Sequence, residues 1–155
     1  MLRIWPGILV LLVLTLGCSK KEPQLLDVAE VYGRTVAELT ARFGEPDVLI
    51  PKSGDRTTVQ WKSLLGTWVY VAAREDTARY ITYNFKGMEP FDPEEAFRRI
   101  GMEPPDEEPE HEWDNGAKRW LPFREYDKLT INPQIKAITV GDRWPHGSET
   151  ASAEE

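Results

Sequence analysis

The chain has 155 residues, with 19 lysines and arginines against 26 aspartates and glutamates, and a formal net charge of −7. This length allows one domain with a modest core. So acidic a chain lacks the basic face that binds nucleic-acid phosphates, and its folded part is equally unsuited to anionic lipid. Since the sequence has one cysteine, no internal disulfide can form.

The N-terminus has the pattern of an export signal. Arg3 is its only charge before an apolar run from Ile4 to Gly17, and the chain becomes polar at Lys20. A basic start, a short apolar stretch and a small residue before a cut site are typical of secretory signals. An uncleaved anchor is less favoured because a membrane-spanning helix needs about 20 apolar residues. An ordinary signal peptide, cut before Cys18, is the other alternative.

The junction Leu14-Thr15-Leu16-Gly17-Cys18 resembles the lipobox of bacterial lipoproteins, although the commonest form has Leu at the place of Thr15. The resemblance implies cleavage before Cys18 and a diacylglycerol on its thiol. Two or more acyl chains, such as palmitate, hold such a protein stably at a membrane. Ser19 resembles the outer-membrane sorting class, because the Asp that retains lipoproteins at the inner membrane is missing. We therefore expect a lipid-anchored protein on the periplasmic side of the outer membrane.

This interpretation divides the chain into four parts. Residues 1–17 are the signal peptide and residues 18–24 are a short tether. Residues 25–146 form a single domain. Residues 147–155 are small and polar, so we expect them to be a disordered tail.

The first clear element of the domain is a helix over residues 35–43. Thr35 and Glu38 form a capping box, in which each side chain satisfies a free backbone amide. Gly44 ends the helix. The apolar residues at helical spacing are Val36, Leu39 and Phe43.

Strands follow, as the apolar pattern changes from helical to alternating. Residues 67–72 and 79–86 are rich in β-branched and aromatic residues and surround a short polar turn, which predicts an antiparallel hairpin. Shorter strands are predicted at 48–50 and 57–61, and a final strand pair at 128–131 and 135–140.

A second helix is predicted over residues 93–100, with Asp92 as its cap and Gly101 at its end. Helices and strands in this order indicate an α+β fold: an antiparallel sheet of about four to six strands, with two short helices on one face.

The segment 103–114 carries seven acidic residues and three prolines, a composition that keeps a chain extended and solvated. His111 lies within this acidic, Pro-rich loop. The prolines interrupt the turn geometry of a calcium loop, so we predict a linker and no metal site. The sequence lacks a Gly-x-Ser-x-Gly motif, a phosphate-binding glycine loop and paired cysteines. We therefore predict no cofactor and no enzymatic activity.

A faint internal similarity links the two helix ends. Residues 41–46 read Ala-Arg-Phe-Gly-Glu-Pro, and residues 98–104 read Arg-Arg-Ile-Gly-Met-Glu-Pro. Either the chain contains a repeat, or both segments are helix ends written with the same capping residues.

The motif Gly33-x-Thr35-x-x-Glu38-Leu39, followed by residues 43–47 and a tryptophan-containing strand pair, resembles the SmpA/OmlA (BamE-like) lipoprotein family. Residues 129–140 resemble its final hairpin. The similarity covers residues 33–86 and 128–140 and leaves 90–120 without a counterpart. It implies two short helices on one face of an antiparallel sheet, and an accessory role in outer-membrane barrel assembly.

Aromatic residues outside the regular elements are the remaining functional signal. Trp113, Trp120 and Phe123 either fill the core or form a surface for a partner, because exposed aromatics are favoured at interfaces. We expect a non-enzymatic envelope protein that binds another protein. The alternative is a lipoprotein that holds a small molecule or a cell-wall fragment on an aromatic surface.

Overall fold

The structure is a computed structural model that describes residues 27–63 and 66–142. The predicted signal peptide, the tether with Cys18 and the tail at 147–155 all lie outside the described residues. Within those two ranges, no helix combines the length and the apolar character needed to cross a membrane.

Three short helices form, and each begins at a side chain that caps its first turn. Asp27 accepts a hydrogen bond from the Ala29 amide, and Asp92 accepts from the Glu94 and Glu95 amides. The predicted capping box at the start of the second helix is present. The helices are α1 (Val28–Val31), α2 (Val36–Phe43) and α3 (Pro93–Arg99).

Eight strands form one antiparallel sheet in the order β1-β2-β3-β4-β8-β7-β6-β5. Their bounds are β1 (Val48–Ser53), β2 (Arg56–Lys62), β3 (Trp68–Arg74), β4 (Thr77–Asn84), β5 (His111–Glu112), β6 (Lys118–Trp120), β7 (Lys128–Asn132) and β8 (Ala137–Gly141).

The predicted sheet of about four to six strands with two helices is therefore wrong: the described chain has eight strands and three helices. Both strands that the sequence did not predict, β5 and β6, lie between residues 103 and 120. β5 and β6 have two and three residues, which is too short to show an alternating pattern. They become strands because β6 pairs with β7, and β5 pairs with β6 in turn.

The sheet consists of two four-stranded meanders, each preceded by a helix. α2 leads into β1 to β4, and α3 leads into β5 to β8. The meanders join where β4 pairs with β8, with Thr82 opposite Thr139 and their hydroxyl oxygens 3.0 Å apart. The similarity between the two helix ends thus has a structural counterpart, because both halves have the same order of elements.

The second strand of each half carries a tryptophan with the same role. The Trp61 indole N–H donates to the Gly44 carbonyl at 2.9 Å, and the Trp120 indole N–H donates to the Glu107 carbonyl at 2.8 Å. Both carbonyls belong to the segment between the helix and the first strand of that half. Each tryptophan therefore fixes its helix-to-strand connection against the sheet.

The core lies between the helices and one face of the sheet. A row of apolar side chains crosses that face in register and is fully or almost fully buried: Val59, Val71, Ile81, Val140, Leu129 and Trp120. Leu39 of α2, Phe97 of α3 and Ile100, which caps the end of α3, belong to the same cluster. Burial of these side chains is the main stabilising contribution to the fold.

β8 approaches β4 closely at Gly141. In β4, Arg79 is the extra residue of a bulge between the pairs Ala72–Tyr80 and Ala73–Ala78. Gly141 has a φ of 152°, and a Cβ at this position would lie 2.2 Å from the Arg79 carbonyl oxygen. A side chain there would push the two meanders apart.

We predict that Gly141→Ala lowers the free energy of unfolding by about 2–4 kcal/mol, because the methyl group overlaps the backbone of β4. Gly87→Ala is the matched control, since a Cβ at Gly87 has no atom within 4 Å and Gly87 is not among the glycines with positive φ. The control should change the free energy by less than about 0.5 kcal/mol. Urea denaturation of both full-length variants measures the difference. Equal effects would contradict the close approach.

Candidate functional site

The structure buries two of the three aromatic residues that the sequence suggested as a partner surface. Trp120 and Phe123 are each 6% exposed and belong to the core, whereas Trp113 is 38% exposed. Trp120 faces the helices because it lies opposite the buried Leu129 on β7. Phe123 pairs through its backbone with Tyr126 in a tight turn. The burial of Trp120 could have been predicted from Trp61, which occupies the same position in the other half of the chain.

Trp113 remains at the surface, but its ring is held by two neighbours. The His111 ring contacts it edge-on with centroids 4.3 Å apart, and the Arg119 guanidinium lies 5.3 Å from its centroid. These contacts hold the ring beside the β5 edge. Trp113 is therefore an isolated surface aromatic rather than the centre of an apolar patch.

The exposed apolar surface lies elsewhere, on β1. Val48, Leu49 and Ile50 are 41%, 59% and 56% exposed. The described residues contain only two other large apolar side chains that are exposed, Trp113 and Ile135. Three consecutive apolar residues thus lie on a strand at the edge of the sheet, where the outward backbone groups have no strand partner in the described structure.

The two edges of the sheet differ sharply. β5 has only two residues, both exposed and polar, and it follows a segment with three prolines. Short, charged and Pro-rich edges discourage pairing with another chain. On β1, the irregularity between Ile50 and Ser53 and the proline at 51 limit the regular edge to Val48–Ile50. Within these three residues, β1 has the features of a pairing edge that β5 lacks.

The charged residues of the strands are almost all basic. Glu112 is the only acidic residue within the eight described strands. All other described acidic residues lie in helices, turns or loops. The basic residues of the strands are Lys52, Arg56, Lys62, Arg74, Arg79, Lys118, Arg119 and Lys128.

A group of tyrosines joins α1 to the end of β8. The Tyr32 hydroxyl donates to the Asp142 carboxylate, and the Tyr32 ring contacts the Tyr126 ring edge-on at 5.0 Å. Burial raises the pKa of Tyr32 and raises the pKa of Tyr126 to about 12. Phenols with such pKa values stay protonated at neutral pH, so they act as hydrogen-bond donors rather than as bases.

Tyr83 is fully buried on the core face of β4, and its hydroxyl has no hydrogen-bond partner among the described residues. Burial raises its pKa well above the ordinary value of 10.0. An unpaired buried hydroxyl destabilises a protein.

One small depression in the described surface lies along α1, α2 and the turn between them, and it contains the ion pair between Glu30 and Arg42. A second depression has a mixed lining of Pro105, Asp106, Glu107, Phe123 and Arg124. Hydrogen bonds from the Thr35 amide and hydroxyl hold the pKa of Glu38, in the first depression, below its ordinary value, in keeping with its capping role. Nowhere in the described chain do three or more His, Cys, Asp or Glu residues come together as a metal site.

No protein-family model and no curated protein sequence matches this chain. A solved structure of a cysteine-rich secretory protein from Staphylococcus aureus is similar to it, with 14% sequence identity and a TM-score of 0.43. The similarity covers 76% of this chain and 45% of that protein, so this chain spans less than half the length of its structural neighbour.

We predict that Tyr83→Phe raises the free energy of unfolding by about 1 kcal/mol, because it removes a buried hydroxyl without a partner. Because burial raises the pKa of Tyr83 in the folded state, this phenol ionises first in the unfolded state. Its neutral form therefore contributes stability that is fully present below about pH 10 and is lost as the pH rises through the folded pKa. The variant should therefore also lose less stability between pH 9 and about 11.5.

Urea denaturation across this pH range measures both effects. Tyr70→Phe is the matched control, because Tyr70 is half-buried on the other face of the sheet. It should change the free energy of unfolding at neutral pH by less than about 0.5 kcal/mol. A loss of more than 1 kcal/mol in Tyr83→Phe would show that the hydroxyl has a stabilising partner.

Proposed function

We propose that this chain is a lipid-anchored protein of the bacterial envelope, without enzymatic activity, that binds another protein through the edge of β1. The main support for this proposal is the run of three exposed apolar residues on an edge strand, Val48 to Ile50. The resemblance of residues 14–18 to a lipobox supports the envelope location. An accessory role in outer-membrane assembly is part of this proposal and follows from the loose resemblance to the BamE-like family.

The mode of binding is strand addition. An extended segment of the partner lies against β1 and takes up its outward backbone N–H and C=O groups. Leu49 lies opposite the core residue Val59, whereas Val48 and Ile50 lie opposite Gln60 and Thr58 on the other face. A partner strand with apolar residues on both faces therefore covers all three side chains at once.

The charges near β1 favour particular partners. Glu45 and Asp47 are exposed beside its start, and Asp55 is exposed in the turn after it. The Asp47 carboxylate accepts from the Lys62 amide, and Asp55 pairs with Arg74, so Glu45 is the carboxylate here with no recorded contact among the described residues. A strand with apolar residues and a basic flank suits this edge better than an acidic one.

We expect a photo-reactive amino acid at position 49 of the full chain to crosslink one envelope protein in intact cells. Position 135 is the matched control, because Leu49 and Ile135 are 59% and 58% exposed but only Leu49 lies on the open edge. Combining the position-49 chain with Ile50→Lys should reduce the crosslinked product at least about fivefold. Mass spectrometry of the product identifies the partner.

Cys18→Ala in the same chain tests the anchor. It should move the protein from the membrane fraction to the soluble fraction and remove the acyl mass from the intact protein. Equal products from positions 49 and 135 would contradict the edge as the binding surface. Unmodified full-length chain in both the parent and Cys18→Ala would contradict the lipid anchor.

A further inference from the structure

The sheet face opposite the core, which we call the open face, is not covered by any described helix. A register row crosses it from β2 to β6, and its side chains are all partly exposed: Gln60, Tyr70, Thr82, Thr139, Thr130 and Arg119. Eight strands at a spacing of about 4.8 Å make this face about 34 Å wide. Such a width suits an extended polymer rather than a small molecule.

Three aromatic side chains lie on two neighbouring strands of this face. Trp68 and Tyr70 follow each other on the same side of β3, and Tyr80 on β4 lies opposite Ala72. All three rings are half-buried, so part of each ring remains accessible. The Lys62 ammonium lies 5.5 Å from the centroid of the Trp68 ring. Flat apolar rings with polar neighbours suit the apolar side of a sugar ring.

Neutral hydrogen-bonding groups surround the rings. The hydroxyl groups of Thr82 and Thr139 form a hydrogen bond with each other in the middle of the face. The Asn84 side-chain amide donates a hydrogen bond to the Ile135 carbonyl. Hydroxyl and amide groups donate and accept, so they can match the many hydroxyls of a polysaccharide. No strand residue on this face is acidic, because Glu112 lies opposite Lys118 on the other face.

Cations lie toward the rim of the face, at Lys62, Arg74 and Arg119. Arg74 pairs with Asp55 at 2.8 Å, and the Arg119 Nε is 3.9 Å from a Glu110 carboxylate oxygen. Arg74, Asp55 and Glu110 are about half exposed and the Arg119 side chain is 27% exposed. Ion pairs that water can reach contribute little to stability, so an incoming anion can replace them at low cost. A basic face on a chain with a net charge of −7 is complementary to an anionic ligand.

We propose that the open face binds an acidic polysaccharide strand. Sugar rings stack on Trp68 and Tyr70, while the carboxylates of the polymer reach Lys62 and Arg119. An acidic peptide would use the cations but not the rings and the neutral hydroxyl row, so the composition of the face favours the glycan. This site runs from β2 to β6 beside the β1 edge, uses none of the β1 residues and does not depend on the protein-binding proposal.

The test uses purified full-length protein and three hexamers as probes. Hexagalacturonate is the acidic glycan, maltohexaose is the neutral glycan and hexaglutamate is the acidic peptide. Isothermal titration calorimetry should give the highest affinity for hexagalacturonate, falling as salt concentration rises. Tyr70→Ala should weaken that binding about tenfold, and Lys62→Gln should weaken it about threefold without affecting folding, since Lys62 is exposed.

Two control variants make the result specific. Arg34→Gln removes an exposed cation in the helical layer, and Leu49→Lys changes the protein-binding edge; neither should weaken hexagalacturonate binding. No binding of hexagalacturonate at millimolar concentration would overturn the proposal, as would hexaglutamate binding as tightly. Equal weakening by Arg34→Gln would show that only net charge matters. Leu49→Lys separates the two proposals, because with the photo-reactive amino acid moved to position 48 it should reduce the crosslinked product at least about fivefold and leave glycan binding intact.

Discussion

The antiparallel pairing of β4 with β8 is the interaction on which the rest of the structure depends. It joins two helix-and-meander units that would each be a four-stranded sheet with an additional open edge. Because the last strand of each unit lies at the centre, the first strands, β1 and β5, become the edges of the described sheet. The same pairing aligns Ile81 with Val140 on the core face and Thr82 with Thr139 on the open face. One core and one continuous outer face follow from it.

The edges and the open face follow from this arrangement and carry different chemistry. Each short helix covers only part of the core face, so the far edge at Leu49 remains exposed although the residue opposite it, Val59, is fully buried. The open face carries cations, hydroxyls and aromatic rings, although the chain as a whole is acidic. Both surfaces are therefore available for binding, one through backbone groups and the other through side chains.

The sequence was sufficient where a signal is local. The capping residues Thr35 and Asp92 predict the second and third helices to within one residue at each end, because a cap acts on the amides of its own first turn. It was insufficient for β6, which is a strand only through its pairing with β7, and for β5, which is a strand only through its pairing with β6. The sequence also did not decide whether Trp120 is in the core or at the surface, because its burial depends on which face of a three-residue strand meets the helices. The exposure of β1 is equally non-local, since Val48 to Ile50 has the composition of a buried strand.

Amide hydrogen exchange of the full-length protein, followed by NMR, tests the central pairing most directly. If β4 and β8 form the centre of one cooperative sheet, their amides should be among the slowest to exchange, and those of β1 and β5 should exchange first. Slow exchange across β3 and β4 together with exchange in β8 as fast as in β1 would contradict the account, because the two meanders would then not form one sheet.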